Sequence, residues 1–383
     1  MMSWTTSLKA LGSLAESVKP TTDKSRFLDA AEFSHTHERV LEELGSGLAL
    51  IRQTCLPLFC SDETVSGQTK LCVEILRGWA LTGEAPSLAA LAIQAMETLG
   101  VKDDEYARLV MLAAVLGEIE NKLPYHSNMH YRKVVLQLIR LMAHHNEIYA
   151  GTSKVFSDKD ICLLLTAACI HDVAHDGRGN TVQGVHERGR LETRSFDVLR
   201  HWMEPLGFDD PQLHEALRVM LMGTDVSPVG DSRAPVAQMR TAYRHHFFGQ
   251  KGWVEPLNLS SDLQPLEENG HLAMMALTLQ EADIATSAGL DYSVTKFETA
   301  LICEEYNMPE ALPQHIINFL RDVCNRQFLS DAGQRLYAGN MARIFALAQK
   351  DVDAGNLPLP DSLHADLVVG QTFKGLPPSD SIH

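Results

Sequence analysis

"ICLLLTAACIHDVAHDGRGN", residues 161 to 180, decides how the chain is read. The run from Ile161 to Cys169 reads as a buried helix. Its last turn delivers His171 and Asp172, with His175 following. Burying an unpaired carboxylate costs several kcal/mol, so something must neutralise Asp172. A salt bridge and a metal ion are the two candidates, and the rest of the chain decides between them.

Outward from this stretch the signals are helical. Ser157 stands three residues before Asp160, a capping-box start just ahead of the apolar run. "DEYARLVMLAAVLGEIE" (Asp104 to Glu120) places Leu109, Leu112, Ala113, Leu116 and Ile119 at three- and four-residue spacings. "HYRKVVLQLIRLMAHH" repeats the pattern through Val134, Val135, Leu138, Leu141 and Met142, with His144 and His145 toward the helix end. Several later segments, among them "GHLAMMALTLQEADIATSAG" and "QHIINFLRDVCNRQFL", read the same way. No alternating strands with hairpin turns stand out. The expected fold is all-α, a compact multi-helix domain.

Three stretches read as irregular. Residues 1 to 30 are polar and Ser/Thr-rich and are expected to be mobile. Val226 to Asn269 carries four prolines and several glycines, the composition of a long loop with a short helix in it. The tail from Asn356 is Pro/Gly-rich. "TGEAPS" (Thr82 to Ser87) is a candidate break. The expected division is a helical lead-in over 1–100, a catalytic domain over 101–350 and a tail over 351–383.

A chain of 383 residues with 45% hydrophobic and 21% charged residues buries a sizeable core. Its formal net charge of -16 argues against nucleic acid or an anionic membrane surface as partner. Any attraction for a small anion must then be local, from a metal ion or a few arginines. Seven cysteines without CxxC spacing fit a reducing compartment. No secretory signal and no apolar run near the roughly 20 residues of a membrane span is apparent. A soluble cytoplasmic protein is expected.

Three segments share ligand types. "YHSNMH" (Tyr125 to His130) places His126 and His130 four apart, on one helical face. "HDVAH" supplies His171, Asp172 and His175, and "EADIATSAG" supplies Asp283 where a helix is expected to end. His130, His171, Asp172 and Asp283 offer two nitrogen and two oxygen donors, a set suited to zinc or a similar divalent ion. Each piece alone has a plain structural reading, as a capped histidine pair or a helix cap. Their conjunction at the ends of apolar helices favours metal ligation.

The combination resembles the class I cyclic nucleotide phosphodiesterases, within the wider HD-domain phosphohydrolases. "YHSNMH" is similar to that family's Tyr-His-Asn-x-x-His, with Ser127 in the Asn place. "HDVAHDGRGN" is similar to His-Asp-x-x-His-x-Gly-x-x-Asn, with Asp176 in the usual Pro place. "LMGTDVS" (Leu221 to Ser227) and "LQEADI" resemble two further motifs, and the likeness covers roughly residues 105 to 345. It implies that His130, His171, Asp172 and Asp283 hold a tight ion, usually zinc, and that Asp172 also reaches a labile magnesium or manganese. His175 and Thr224 would hydrogen-bond the waters of that second ion, and Tyr125 and Asn180 would line the pocket and brace the site. His126 would be the general acid. "GQRLY" places Gln334 and Tyr337 at the spacing by which the family holds the purine, with Gln327 as a rival.

The implied chemistry is hydrolysis of a 3′,5′-cyclic nucleotide, cAMP or cGMP, to the 5′-monophosphate. Two cations would neutralise the phosphoryl oxygens, and water between them would lose a proton near neutral pH and attack phosphorus in line. His126, kept charged by a neighbouring carboxylate, would protonate the leaving 3′ oxygen. Arg240, Arg244, His245 and His246 are expected to face solvent, and Trp253, Phe247 and Phe248 to pack the loop. Two alternatives stay open: another HD-domain nucleotide phosphohydrolase, and a silent nucleotide-binding regulator.

Overall fold

The computed structural model describes residues 4–18, 25–59, 64–249 and 257–359. Short turns aside, its helices run α1 (Trp4–Ala10), α2 (Ala30–Thr54), α3 (Val65–Thr82), α4 (Leu88–Leu99), α5 (Asp104–Gly117), α6 (Asn128–Ile148) and α7 (Asp158–Ile170). They continue with α8 (Arg190–Met203), α9 (Pro211–Met222), α10 (Pro235–Phe247), α11 (Gly270–Gly289), α12 (Tyr292–Glu305), α13 (Pro313–Asn318) and α14 (Gly339–Asp353). Among the described residues the only sheet is a two-residue hairpin, β1 (Thr181–Val182) against β2 (Val185–His186). Gln183 and Gly184 turn it with φ of 52° and 79°, the left-handed pair that a two-residue hairpin turn demands. The fold is all-α, as expected.

Polar side chains start the helices by taking up amide donors that would otherwise be unpaired. Asp29 accepts from Ala31 and Glu32 at the start of α2, and Ser157 and Asp160 form the capping box of α7. Two helices are then buried on nearly every face. From Ile161 to Ile170 every residue of α7 is buried, and α11 is buried from Leu272 to Gly289 except at Asp283. Helices apolar all round belong in the centre of a bundle. Here α7 packs on α5 and α6, while α11 packs on α6 and α10, so the core passes between the histidine-bearing helix and the aspartate-bearing one.

α5 and α7 approach closely because Gly117 has no side chain: a Cβ there would collide with the backbone oxygen of Cys169. That contact fixes the height of the α7 end that carries His171.

The N-terminal segment departs from the expected mobile lead-in. Leu8 and Leu11 are fully buried, Leu14 nearly so, and α1 packs on α5. These leucines recur at the three-residue spacing of one helical face, which Ser and Thr between them mask in a composition count. His37 Nε2 meets the Leu8 carbonyl at 2.8 Å, and Trp202 donates to the Phe27 carbonyl at 2.8 Å, tying the segment to α2 and α8. "TGEAPS" is a helix-to-helix turn, with Gly83 left-handed at φ 71° after α3 and Ser87 capping α4. α4 is buried from Leu88 to Met96 and packs on α2, α5 and α6, so residue 100 marks no change of core.

The expected loop over 226–269 contains a full 13-residue helix, α10, and a single turn at Pro265–Glu268. Arg240 faces neither solvent nor a ligand: it is buried and donates to Gln280 and to the carbonyls of Cys324 and Gln327. His246 meets the Leu266 carbonyl, His245 and Phe248 are exposed, and Trp253 lies outside the described residues. His144 and His145, expected toward a helix end, are buried near the end of α6 against Gln68 and the Lys154 carbonyl. Of the tail, Leu359 is buried and its amide donates to Ala311, while residues 360–383 lie outside the described residues. Among the described residues no helix is long and apolar enough to cross a membrane.

Gly117→Ala must separate two packed helices, and should lower the unfolding free energy by about 1–3 kcal/mol, the usual cost of overpacking. Chemical denaturation of parent and variant measures it.

Candidate metal centre

Three helix segments converge on one point. His130 lies in the first turn of α6, His171 and Asp172 directly follow α7, and Asp283 sits inside α11 rather than at its end. Their ligand atoms all lie within 4.8 Å of one another. His130 Nε2 is 3.3 Å from His171 Nε2, 3.4 Å from Asp172 Oδ2 and 3.2 Å from Asp283 Oδ1. His171 Nε2 is 3.1 Å from Asp172 Oδ2 and 3.7 Å from Asp283 Oδ1. An ion with bonds of about 2.1 Å sets neighbouring ligand atoms about 3.0 Å apart in an octahedron and about 3.4 Å in a tetrahedron. The observed edges fall around those values.

The competing account is a set of histidine–aspartate ion pairs. Burial alone would lower both imidazoles, but Asp172 and Asp283 outweigh it and raise them, His171 most. Burial likewise pushes the carboxyls up, and the histidines overcome it, holding Asp172 well below the usual range and Asp283 at about 2. Yet two ring nitrogens 3.3 Å apart cannot both carry protons toward each other. Protons on both rings could pair His130 with Asp283 and His171 with Asp172, but would set two N–H groups 3.3 Å apart, a crowding that one shared cation avoids. The His171 Nδ1–H donates to the Ala168 carbonyl at 2.9 Å, which turns Nε2 toward the cluster, the usual arrangement behind a metal-binding histidine. His130 Nδ1 has no protein partner. These residues can hold a metal ion.

A cavity of about 400 Å³ opens beside the cluster. Asp172, Asp283, His126, His175, Asn180, Thr224 and Tyr125 all line it. It also receives three carboxylates that sequence reasoning did not single out, Glu192, Asp225 and Glu298, the last paired with Lys133 at 2.7 Å. Burial and the nearby Asp225 push the Glu192 carboxyl up to about 8. Asn180 joins these groups, donating to Glu192 Oε2 at 2.9 Å and accepting from the Leu191 amide at 3.0 Å. Asp225 accepts from the amides of Gly189 and Ser227. Among the described residues no lysine or arginine lines the cavity. Such an excess of acid calls for cations.

His126 is held apart from the cluster. Its Nδ1–H donates to Glu305 Oε1 at 2.6 Å, leaving Nε2 4.0 Å from Asp172 Oδ2. Glu305 Oε2 also accepts from the amides of Tyr125 and His126, so one carboxylate on α12 sets both the loop and the ring. His175 stacks on His126 at 3.6 Å. Burial, and then the charge of His126, push His175 down to about 4, so His175 is the neutral ring of the stacked pair. His126, His175 and Glu305 also form a compact group of possible ligands. The 2.6 Å contact between His126 and Glu305 has the length of a charge-assisted hydrogen bond and leaves no room for an ion between those two atoms.

Thr224 donates to the Leu221 carbonyl at 2.8 Å, and the Tyr125 hydroxyl meets Ser287 at 3.2 Å. Ser127 caps no amide. Asn128 braces the turn instead, donating to the carbonyls of Gly117 and Ile119 and accepting from the Asn121 amide. Asp176 pairs with Arg190 at 2.8 Å, which pulls its carboxyl down to about 2, and it takes no part in the cavity.

Gln334 and Tyr337 do not reach the cavity. Gln334 is exposed and donates to the Leu329 carbonyl, and Tyr337 is fully buried with its hydroxyl donating to Gln137. Gln327 is exposed as well. The counted distance from Asp283 is met, but the chain enters the cavity earlier, through α13 and the π-helical turn Phe319–Val323, and places His315, Phe319 and Val323 in its wall. Comparison with protein-family models and with curated proteins gives no match.

Asp283→Ala should lower metal affinity by more than the 10- to 100-fold, roughly, that attends loss of a hydrogen-bond partner of a ligand. Asp176→Ala should leave metal content at the parent value. Elemental analysis of both proteins after equal dialysis reads the difference.

Proposed function

We propose that the protein is a metal-dependent phosphodiesterase that opens a 3′,5′-cyclic nucleotide to its 5′-monophosphate. The observation that carries this reading is the placement of His126: its Nδ1 is tied to Glu305 and its Nε2 opens on the same cavity as the two-histidine, two-aspartate cluster. In this reading His130, His171, Asp172 and Asp283 would hold zinc, with Asp172 also able to serve a magnesium or manganese ion. Bound there, the ions supply neutralising charge for phosphoryl oxygens and acidify water.

The chain's own groups do the rest. A water oxygen, having released one proton to solvent, bonds to phosphorus, the bond from phosphorus to the 3′ oxygen breaks, and His126 Nε2 gives its proton to that oxygen as charge develops on it and regains one from solvent afterwards. Glu305 keeps the ring oriented, as a carboxylate behind an imidazole does. Thr224, His175 and the carboxyls of Glu192 and Asp225 surround the attacking side and orient water. The excess of acid around the cavity disfavours an anionic substrate without metal, which ties turnover to the ions.

A second reading is a related hydrolase of another nucleotide. The cavity wall favours it at one point: among the described residues Asn180 supplies the only side-chain amide there, and Glu192 and Leu191 occupy it.

Turnover of cAMP and cGMP by the metal-quantified protein, with bis(p-nitrophenyl) phosphate as a diester without a base, tests the proposal. Cyclic nucleotides should be hydrolysed well above the plain diester. His126→Ala should keep the parent metal content and lower kcat about 10²–10⁴-fold, the range for loss of a general acid. Asp172→Ala should abolish turnover together with metal. Loss of metal in the His126 variant would remove that residue from the proton-donor role.

A further inference from the structure

Part of the cavity wall carries no charged side chain. Ile302 and Tyr306 of the α12 end, with His315, Phe319 and Val323, form it together with Val226 and Val229. The two walls meet where Gly230 comes within 3.8 Å of Asp322, measured from the Cβ position that glycine lacks. The slot is apolar apart from a few groups, and one of these has a determined hydrogen-bonding sense.

His315 Nδ1 accepts from the Leu312 amide at 3.1 Å. The Cys303 sulfur lies 3.5 Å from the same nitrogen, and burial pushes that thiol up, so it keeps its proton and points it the same way. Two donors therefore converge on Nδ1, which cannot itself carry hydrogen. The proton of the neutral ring sits on Nε2, and burial lowers the imidazole so that the neutral ring prevails. Among the described residues Nε2 has no protein acceptor. A half-buried N–H in an apolar slot is a recognition element looking for an acceptor.

We propose that His315 reads the nucleobase: its Nε2–H donor, in the cavity wall that Phe319 also lines, favours a base carbonyl, guanine O6 or uracil O4, over the amino group that adenine and cytosine carry at the same position. Guanine offers O6 and N7 as adjacent acceptors, whereas adenine sets an amino donor beside N7, and cytosine replaces a uracil-type carbonyl with an amino group. A donor aimed at an amino group leaves both unsatisfied, and sites built on a buried hydrogen bond reject the mismatched ligand strongly. Phe319 supplies a ring face on which any base stacks, so it adds affinity without choosing. The assignment rests on the diesterase reading for the seat of the phosphate, but the choice of base stands on the slot alone.

Calorimetric binding of GMP, AMP, UMP and CMP to the protein as purified, with its metal content measured, tests it without requiring turnover. GMP should bind about tenfold tighter than AMP, and UMP about tenfold tighter than CMP, the worth of one such hydrogen bond. His315→Asn keeps an oxygen where Leu312 donates but withdraws the reach of Nε2, and should lose the preference. His315→Gln carries an amide that can present either sense, and should bring the four ligands within about twofold. Equal binding of GMP and AMP by the parent, no binding of any mononucleotide, or a preference that survives in both variants would overturn the proposal. Selective binding without cyclic-nucleotide turnover would leave the base slot standing and remove the diesterase reading; turnover without the preference would do the reverse.

Discussion

Five carboxylates line one cavity with no arginine or lysine among its described lining residues, only Glu298 having a lysine partner, Lys133, and much of the molecule is arranged to make that tolerable. Asp172 and Asp283 stand against the facing nitrogens of His130 and His171, while Glu192 and Asp225 rest on amides and on Asn180. Buried charge of one sign persists only where something of the opposite sign, or a rigid set of hydrogen bonds, compensates it. Here the backbone supplies the hydrogen bonds and the donor set leaves the remaining charge to a cation. Helices buried on every side, α7 and α11, give the rigidity: neither can shift without opening the core.

Glu305 is the second organising group. A single carboxylate takes the amides of Tyr125 and His126 and the Nδ1 proton of His126, so the loop before α6 and the end of α12 are joined through the imidazole. The result separates two kinds of histidine only four residues apart. His130 turns its Nε2 toward carboxylates at 3.2 and 3.4 Å, and His126 turns one nitrogen away to Glu305 and the other toward the cavity. Histidine chemistry follows its partners more than its identity. The stacked His175, pushed toward neutrality by burial, shapes the space beside His126.

At the other end of the cavity the chain departs from the resemblance that its motifs suggest. The residues at the expected spacing, Gln334 and Tyr337, serve the surface and the core, and α13 with its π-helical turn brings an imidazole and a phenyl ring into the wall instead. The charged groups of the cluster stand on helix ends and, for Asp283, on the middle of the buried α11, whereas His315 and Phe319 stand on a short helix and the turn that follows it. Segments of the second kind are where related scaffolds vary most.

Some of this was legible before any fold. Apolar periodicity around 109–119 and 134–142, with capping residues such as Ser157 and Asp160, sufficed for an all-α reading, because a helix shows its buried face and its ends within a few residues of chain. The ligand group was legible for the same local reason: His171, Asp172 and Asp283 are charged residues in or beside runs that have to be buried, a contradiction that only compensation resolves. What the order of residues could not state is which distant groups meet. Glu305 reaches His126 across 179 positions, and Leu8 enters the core against a helix a hundred residues on. Whether Tyr337 or Phe319 faces the cavity depends on the turn that each helix makes after Asp283, not on the count of residues between them. Sequence determined what had to be buried and what had to be neutralised, since those follow from local polarity; the tertiary structure alone decided the partners, because a contact between helices depends on their relative position and rotation, which no local pattern encodes.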